Sequence, residues 1–320
     1  MKVGHKILLI NGDGIGAEVI PAAQQVLAAL GLDLSFDYAM AGWGVFQDTG
    51  NALPPETLAA CESADAILFG ATQSPMEKVA GYRSPILALR RHFDLFANLR
   101  PAKQGEIDLL IVRENTEGLY SGRERLEDEG QTAITERVIT AAASRRIVEL
   151  GAQLAMARPR QKLTLVHKAN VLKETCGLFR RVGLEVLQNY PSLQVDEVLV
   201  DAAAMYLVQT PSRFDVIVTT NLFGDILSDL AAGLTGGLGL APSANIGAGG
   251  PAVFEPVHGS APDIAGQHKA DPRAAILSGA MALDHLGYGE AGARVRAAVA
   301  ATPHGGDTGA TVAGVLGNLG

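Results

Sequence analysis

Asp225 and Asp229 stand four residues apart in the run Asn221-Leu-Phe-Gly-Asp-Ile-Leu-Ser-Asp229. On a helix, that spacing puts both carboxylates on one face, one turn apart. Like charges so placed repel, and a hard divalent cation such as Mg²⁺ or Mn²⁺ reverses the sign, because it prefers carboxylate oxygens. The plainer alternative is a helix cap at Asp225 and a solvated carboxylate at Asp229, since Asp favours helix starts. The preceding run, Phe214–Thr220, is β-rich and reads as a buried strand. A turn through Asn221 and Gly224 then leads to a helix from about Asp225. Ligands of open α/β sheets gather at the carboxyl ends of strands, which favours the metal.

Other side chains invite chemistry. Arg90, Arg100 and Arg113 follow Leu89, Leu99 and Val112. A lone Arg is most often a surface charge, but Arg also grips carboxylates with bidentate hydrogen bonds that Lys cannot make. Lys168 follows the strand-like run Leu163–His167, where an unpaired ammonium would be costly to desolvate. Asp201 ends Val198-Leu-Val200, and Tyr120, taken alone, could be a core aromatic. None of the seven His residues has metal-ligand spacing.

The elements that must carry these groups alternate along the chain. Strands are expected at Ile7–Ile10, Ala66–Phe69, Leu109–Val112, Leu163–His167, Val195–Val200 and Phe214–Thr220. Helices are expected over about 16–30, 85–92, 276–286 and 291–301. Such alternation means an α/β fold with a largely parallel sheet. The 320 residues, 48% hydrophobic, suffice for a large core in one or two domains. A formal charge of −8 argues against a nucleic-acid partner, so an anionic substrate needs a local Arg cluster. Two cysteines, Cys61 and Cys176, make no disulfide framework, which fits a reducing cytoplasm. The start, Met1–Gly12, has too short an apolar run for a signal peptide or membrane span and reads as a first β-strand.

Gly12-Asp-Gly14-Ile-Gly-Ala17 matches the G-x-G-x-x-A spacing of a Rossmann pyrophosphate loop. The acid that should end the second strand, near Asp33 or Asp37, is unconvincing. A metal-free Rossmann dehydrogenase is therefore the lesser alternative. Glu255-Pro-Val-His258-Gly259-Ser260-Ala261-Pro262-Asp263-Ile264-Ala265-Gly266 is the better cofactor segment. Its small residues allow close backbone approach, and Asp263 can accept from both ribose hydroxyls while repelling a 2′-phosphate, favouring NAD.

From Asn11-Gly-Asp-Gly-Ile-Gly16 through Arg113-Glu-Asn-Thr-Glu-Gly-Leu-Tyr120, Val166-His-Lys-Ala-Asn170 and the Asp225/Asp229 segment to Gly305-Gly-Asp307, the chain resembles the β-decarboxylating dehydrogenases. These include isocitrate, 3-isopropylmalate, homoisocitrate and tartrate dehydrogenases. The resemblance implies an isopropylmalate-dehydrogenase-like α/β fold of two domains with a central mixed, largely parallel sheet, not a standard Rossmann fold. It suggests 1–97 with 247–320 as the larger, cofactor-side domain and 98–246 as the smaller, dimer-forming one. Gly122–Glu136 matches an arm that pairs with a second subunit, or else is a solvated hairpin.

By the same resemblance, Asp201, Asp225 and Asp229 bind Mg²⁺ or Mn²⁺, with Asp201 donated across a homodimer. Arg90, Arg100 and Arg113 clamp the malate-core carboxylates, Lys168 is the base acting in the neighbouring subunit's site, and Tyr120 is the general acid. Thr72, Asn170, His258, Gly259, Ser260, Ala261, Asp263, Ile264 and Asp271 fall at cofactor positions. NADP-using relatives carry Lys and Tyr where this chain has Asp263 and Ile264. Asp271 departs from the pattern, since many members have Asn there. The implied reaction is oxidation of a hydroxy di- or tricarboxylate by NAD followed by loss of CO₂, in a dimer or a higher assembly. A non-catalytic regulatory subunit is the alternative of another class, but such a chain would be expected to have lost the residues kept here.

The substrate depends on Tyr82-Arg-Ser-Pro-Ile-Leu-Ala-Leu-Arg90, which is most similar to homoisocitrate dehydrogenases. Arg83 and Ser84 would meet a distal carboxylate, and Ile86 and Leu87 would line the aliphatic part. Homoisocitrate or a related tricarboxylate is expected first, isocitrate second and 3-isopropylmalate third.

Overall fold

The computed structural model describes residues 4–77 and 79–320. Met1–Val3 of the expected first strand lie outside the described residues. The chain forms two units, Met1–Leu95 with Gly237–Gly320, and Phe96–Gly236. In chain order, the first unit begins with β1 (His5–Gly12), α1 (Gly16–Ala28), β2 (Leu34–Ala39), α2 (Trp43–Thr49), α3 (Pro55–Glu62), β3 (Ala66–Ala71) and α4 (Pro85–His92). The second unit opens with β4 (Ala97–Gln104), β5 (Ile107–Glu114), β6 (Glu124–Glu127), β7 (Thr132–Thr135), α5 (Ala141–Met156) and β8 (Lys162–His167). It closes with α6 (Thr175–Leu187), β9 (Gln194–Leu199), α7 (Val200–Gln209), β10 (Val216–Thr219) and α8 (Asn221–Leu234). The chain then returns to the first unit with β11 (Pro242–Ile246), β12 (Ala252–Pro256), α9 (Arg273–His285), α10 (Gly289–Ala301) and α11 (Thr308–Gly317).

In the first unit the strands run β2-β1-β3-β12-β11. All neighbours are parallel except β11 and β12, which are antiparallel. That last pairing explains why the second seam falls at 236/237 and not 246/247: β11 belongs with the strand that follows it. Leu8, Ile10, Ile67, Phe69, Leu89 and Val253 form a buried core here. The second unit runs β4-β5-β10-β8-β9, parallel except for β4 against β5. Its core includes Ile111, Val166, Leu207, Phe214, Ile217 and Leu227. Strands this hydrophobic on both faces are what parallel sheets require.

The glycine turn after β1 is structural. Gly12 and Gly14 have φ of 73° and 58°, in the left-handed region. A Cβ on Gly14 would lie 2.0 Å from the Ser260 carbonyl oxygen. The N–H of Ile15 donates to that oxygen at 2.9 Å, and the N–H of Asp13 donates to Ala71 O at 2.7 Å. Donors that a pyrophosphate would need are already engaged, which disposes of the Rossmann reading of this turn. The turn instead clamps the 255–266 loop against α1.

Two expectations are corrected. Helix α8 starts at Asn221, four residues before Asp225, with Thr220 as its extended N-cap. Its first hydrogen bond runs from Gly224 N to Thr220 O, so Asp225 is not a cap. Asn221 and Gly224 are turn formers by type, but a Cβ at Gly224 would sit 2.6 Å from the Arg113 side chain, so glycine serves close approach, not a turn. Likewise β9 ends at Leu199, and Asp201 lies in the first turn of α7 rather than at a strand end. The segment 122–136 contains the antiparallel hairpin β6–β7, with β6 exposed throughout. Among the described residues, no helix is long and apolar enough to cross a membrane.

Candidate active site

In the second unit, the end of β5, the middle of β4, a 3₁₀ turn and α8 bring one cluster together. Asn98 on β4 stands opposite Arg113 on β5, and Arg100 follows two residues along. Period-two alternation therefore turns Asn98, Arg100 and Arg113 to one face. Helix α8 presents Asn221, Asp225, Ser228 and Asp229, and the 3₁₀ turn Leu119–Ser121 carries Tyr120.

Arg113 is 2% exposed. A cation so buried is tolerable only with partners, since desolvation costs several kcal/mol per ion. Its Nη1 donates to Asp225 Oδ1, and its Nε and Nη2 donate to Asn221 Oδ1 at 3.0 and 2.7 Å. Arg100 donates through Nε to Asn98 Oδ1 at 2.6 Å and through Nη1 to Ser228 Oγ and Asp229 Oδ1, both at 3.3 Å. Arg100 Nη2 lies 3.8 Å from Asp225 Oδ1. The Tyr120 hydroxyl donates to Asp225 Oδ2, and the Arg113 guanidinium stands 5.2 Å from the Tyr120 ring centre. Burial, then the bond to Asp225, pushes the Tyr120 phenol above its ordinary range, so it stays protonated. Burial also raises the Asp229 carboxyl. Asp225 adds to this, while Arg100 and Arg113 oppose it.

The Asp225–Asp229 pair fits a divalent cation. Its donors are hard carboxylate oxygens on one helix face, and their mutual repulsion is what a cation relieves. No group of three or more His, Cys, Asp or Glu assembles among the described residues, so Asp201 does not join the pair within one chain. Asp201 is paired elsewhere: Lys168 Nζ donates to its Oδ1 at 2.6 Å. That contact, more than any other, holds the Asp201 carboxyl below its usual range. His167, just before Lys168, accepts the Ala169 N–H on Nδ1 at 3.1 Å, and burial lowers its pKa. Asn170 is exposed.

The remaining expected residues lie in the first unit. Arg90 is buried and pairs with Glu255 at 3.1 Å, and Asn245 Nδ2 donates to the same carboxylate oxygen at 2.8 Å. Arg83 is exposed and has no partner among the described residues. Ser84 is the N-cap of α4, but its side chain makes no capping bond. Ile86 and Leu87 are half-buried, Ile86 against the core. Thr72 is half-buried just after β3.

In the cofactor segment, Gly259 and Asp263 are exposed, Ser260 is buried, and His258, Ala261 and Ile264 are intermediate. His258 Nδ1 contacts Gly259 O at 3.0 Å, and burial lowers its pKa. Asp271 is committed locally: it accepts from Arg273 N at 3.0 Å and from Arg273 Nη1 at 2.7 Å.

The isocitrate/isopropylmalate dehydrogenase family model matches residues 6–315. The chain belongs to that family. It is 55% identical over 304 residues to the isocitrate/homoisocitrate dehydrogenase of Thermus thermophilus, covering 93% of this chain and 90% of the relative. It is 51% identical over 307 residues to the 3-isopropylmalate dehydrogenase of Archaeoglobus fulgidus, covering 93% and 91%. The crystal structure of isocitrate dehydrogenase from Methylococcus capsulatus superposes with a TM-score of 0.93 at 41% identity, covering 98% of this chain and 99% of that one. As a member of this β-decarboxylating dehydrogenase family, the chain is an enzyme.

Within that family frame, the structure adds residues that spacing did not reveal: Asn98, Asn221, Ser228, Asn245 and Glu255. Each is buried or nearly so and holds an Arg, directly or through Glu255. A hydrophobic run containing Asn98 or Asn221 offers one signal, since a buried amide needs partners.

Proposed function

We propose that this enzyme uses NAD and Mg²⁺ or Mn²⁺ to oxidise and decarboxylate a 3-substituted malate, with homoisocitrate or a related tricarboxylate as its first substrate. The observation that carries the reading is the cluster of Arg100, Arg113, Tyr120, Asp225 and Asp229, two cations and an acid arranged around a carboxylate pair. Arg90, Arg100 and Arg113 bind the malate-core carboxylates as guanidinium forks. Asp225 and Asp229 hold the cation. Once bound, it supplies Lewis-acid polarisation of the substrate oxygen it touches.

Lys168, held by Asp201, takes the hydroxyl proton as the neutral amine and becomes the ammonium. Tyr120, kept protonated by burial and by Asp225, delivers a proton to the carbon that loses its carboxylate. With no group of three such ligands among the described residues of one chain, a second copy supplies Asp201 with Lys168 and Asn170. Asp263, exposed on the 255–266 loop, would accept from ribose hydroxyls and would disfavour a 2′-phosphate, which supports NAD over NADP.

The variable group is read by α4 and the residues before it. Arg83, exposed and without a partner among the described residues, and Ser84, whose side chain makes no capping bond, support a distal carboxylate. Isocitrate ranks second and 3-isopropylmalate third, and the margins are small because one methylene discriminates by only about 1–3 kcal/mol. The test is NADH formation on homoisocitrate, isocitrate and 3-isopropylmalate with Mg²⁺ or Mn²⁺. The highest kcat/KM is expected for a tricarboxylate. A preference for 3-isopropylmalate would mean that Ile86 and Leu87 dominate and that Arg83 reads no anion.

A further inference from the structure

We infer that Asn221 is a positioning residue for substrate: it sets the plane of the Arg113 guanidinium. The inference rests on the reading of Arg113 as a carboxylate clamp. Asn221 opens α8 and is 1% exposed. Its Oδ1 receives two N–H groups of one guanidinium edge, Nε at 3.0 Å and Nη2 at 2.7 Å. Its Nδ2 donates to the Glu117 carbonyl at 3.1 Å. These partners fix which way the amide faces, because a guanidinium only donates and a carbonyl only accepts. Glu117 is itself tethered, since both its carboxylate oxygens accept the Thr140 N–H, at 3.0 and 3.1 Å.

The chemistry of the residue matters as much as its place. A guanidinium is a rigid planar fork, so gripping one edge orients the whole group. Asn does this with a neutral oxygen, and so adds no further carboxylate to that of Asp225, which already accepts from Nη1. An Asp at 221 would hold the same edge while setting a further negative charge beside Asp225. The stem of Arg113 is set by the same helix, where Gly224 lets it pass against α8. Asn221 and Gly224 thus control the direction of one side chain from two positions three residues apart on one helix.

The test is a double-mutant cycle on the full enzyme, N221L with R113K, reading KM for the hydroxyacid, KM for NAD and the thermal melt. N221L keeps the shape of Asn but neither accepts nor donates. It is expected to raise the hydroxyacid KM about tenfold or more, while the NAD KM stays within about twofold. In the R113K background, N221L should add less than about twofold, because its effect passes through Arg113. If N221L does not give a cooperative melt, N221S, whose hydroxyl is too short to reach, takes its place in the cycle. R113K raising KM while the Asn221 variant leaves it unchanged, or the two effects adding in full, overturns the role of Asn221 alone. R113K leaving the hydroxyacid KM unchanged overturns the clamp reading, and the Asn221 role with it.

Discussion

Arg113 is the side chain on which the second unit's cluster converges, and its placement depends on a missing atom. A Cβ at Gly224 would lie 2.6 Å from both Cβ and Cγ of Arg113, near the rigid base of that side chain rather than its flexible end. Gly224→Ala gains about 1 kcal/mol of helix propensity. It loses about 1–3 kcal/mol to overpacking against a buried stem. The clash is expected to win, giving a lower melting temperature and a higher KM for the hydroxyacid. A variant as stable as the parent, with unchanged KM, would show that the two elements separate freely. At this scale the i, i+4 carboxylate pair was legible, because spacing on a helix needs no tertiary information. Asn221 was not, because its Arg113 partner lies 108 residues upstream and nothing local marks the contact. The Asp201–Lys168 pair joins residues 33 apart, and only the fold brings them to 2.6 Å.

Elements place these residues by their ends. β5 ends at Glu114 and β10 at Thr219, and α8 follows β10 with only Thr220 between. The helix start was misread because Asn221 and Gly224 have turn-forming side chains, whereas packing against Arg113 selects glycine there. The run Val195–Val200 looked like strand to its end because Val favours strands, yet Val200 already opens α7. The Rossmann reading of the glycine turn after β1 took second place because the acid it needs was unconvincing, and the backbone adds a reason of its own. Gly14→Ala would drive a methyl to 2.0 Å from the Ser260 carbonyl oxygen and displace the loop that carries Asp263. That variant is expected to raise the NAD KM and to lower stability. Gly31→Ala, with φ of 65° but nothing within 4 Å, carries only the backbone penalty and should leave the NAD KM unchanged. Equal NAD affinity in both variants would break the link between the glycine turn and the cofactor loop.

At the scale of the molecule, the alternation of strand and helix was enough to reach a largely parallel α/β architecture, because burial on both faces leaves continuous apolar runs. The antiparallel members, β4 and β11, were not distinguishable, since strand direction is set by connection and not by composition. The whole fold is that of the isocitrate/isopropylmalate dehydrogenase family. The most direct measurement is the ratio of NADH formed to CO₂ released, with whichever of the three hydroxyacids turns over fastest, before and after EDTA. One NADH per CO₂ is expected, with both lost on chelation and restored by Mg²⁺ or Mn²⁺, and with no restoration in Asp225→Asn. NADH formation that survives EDTA, or that proceeds without CO₂, would contradict the assignment of Asp225 and Asp229 and the reaction itself.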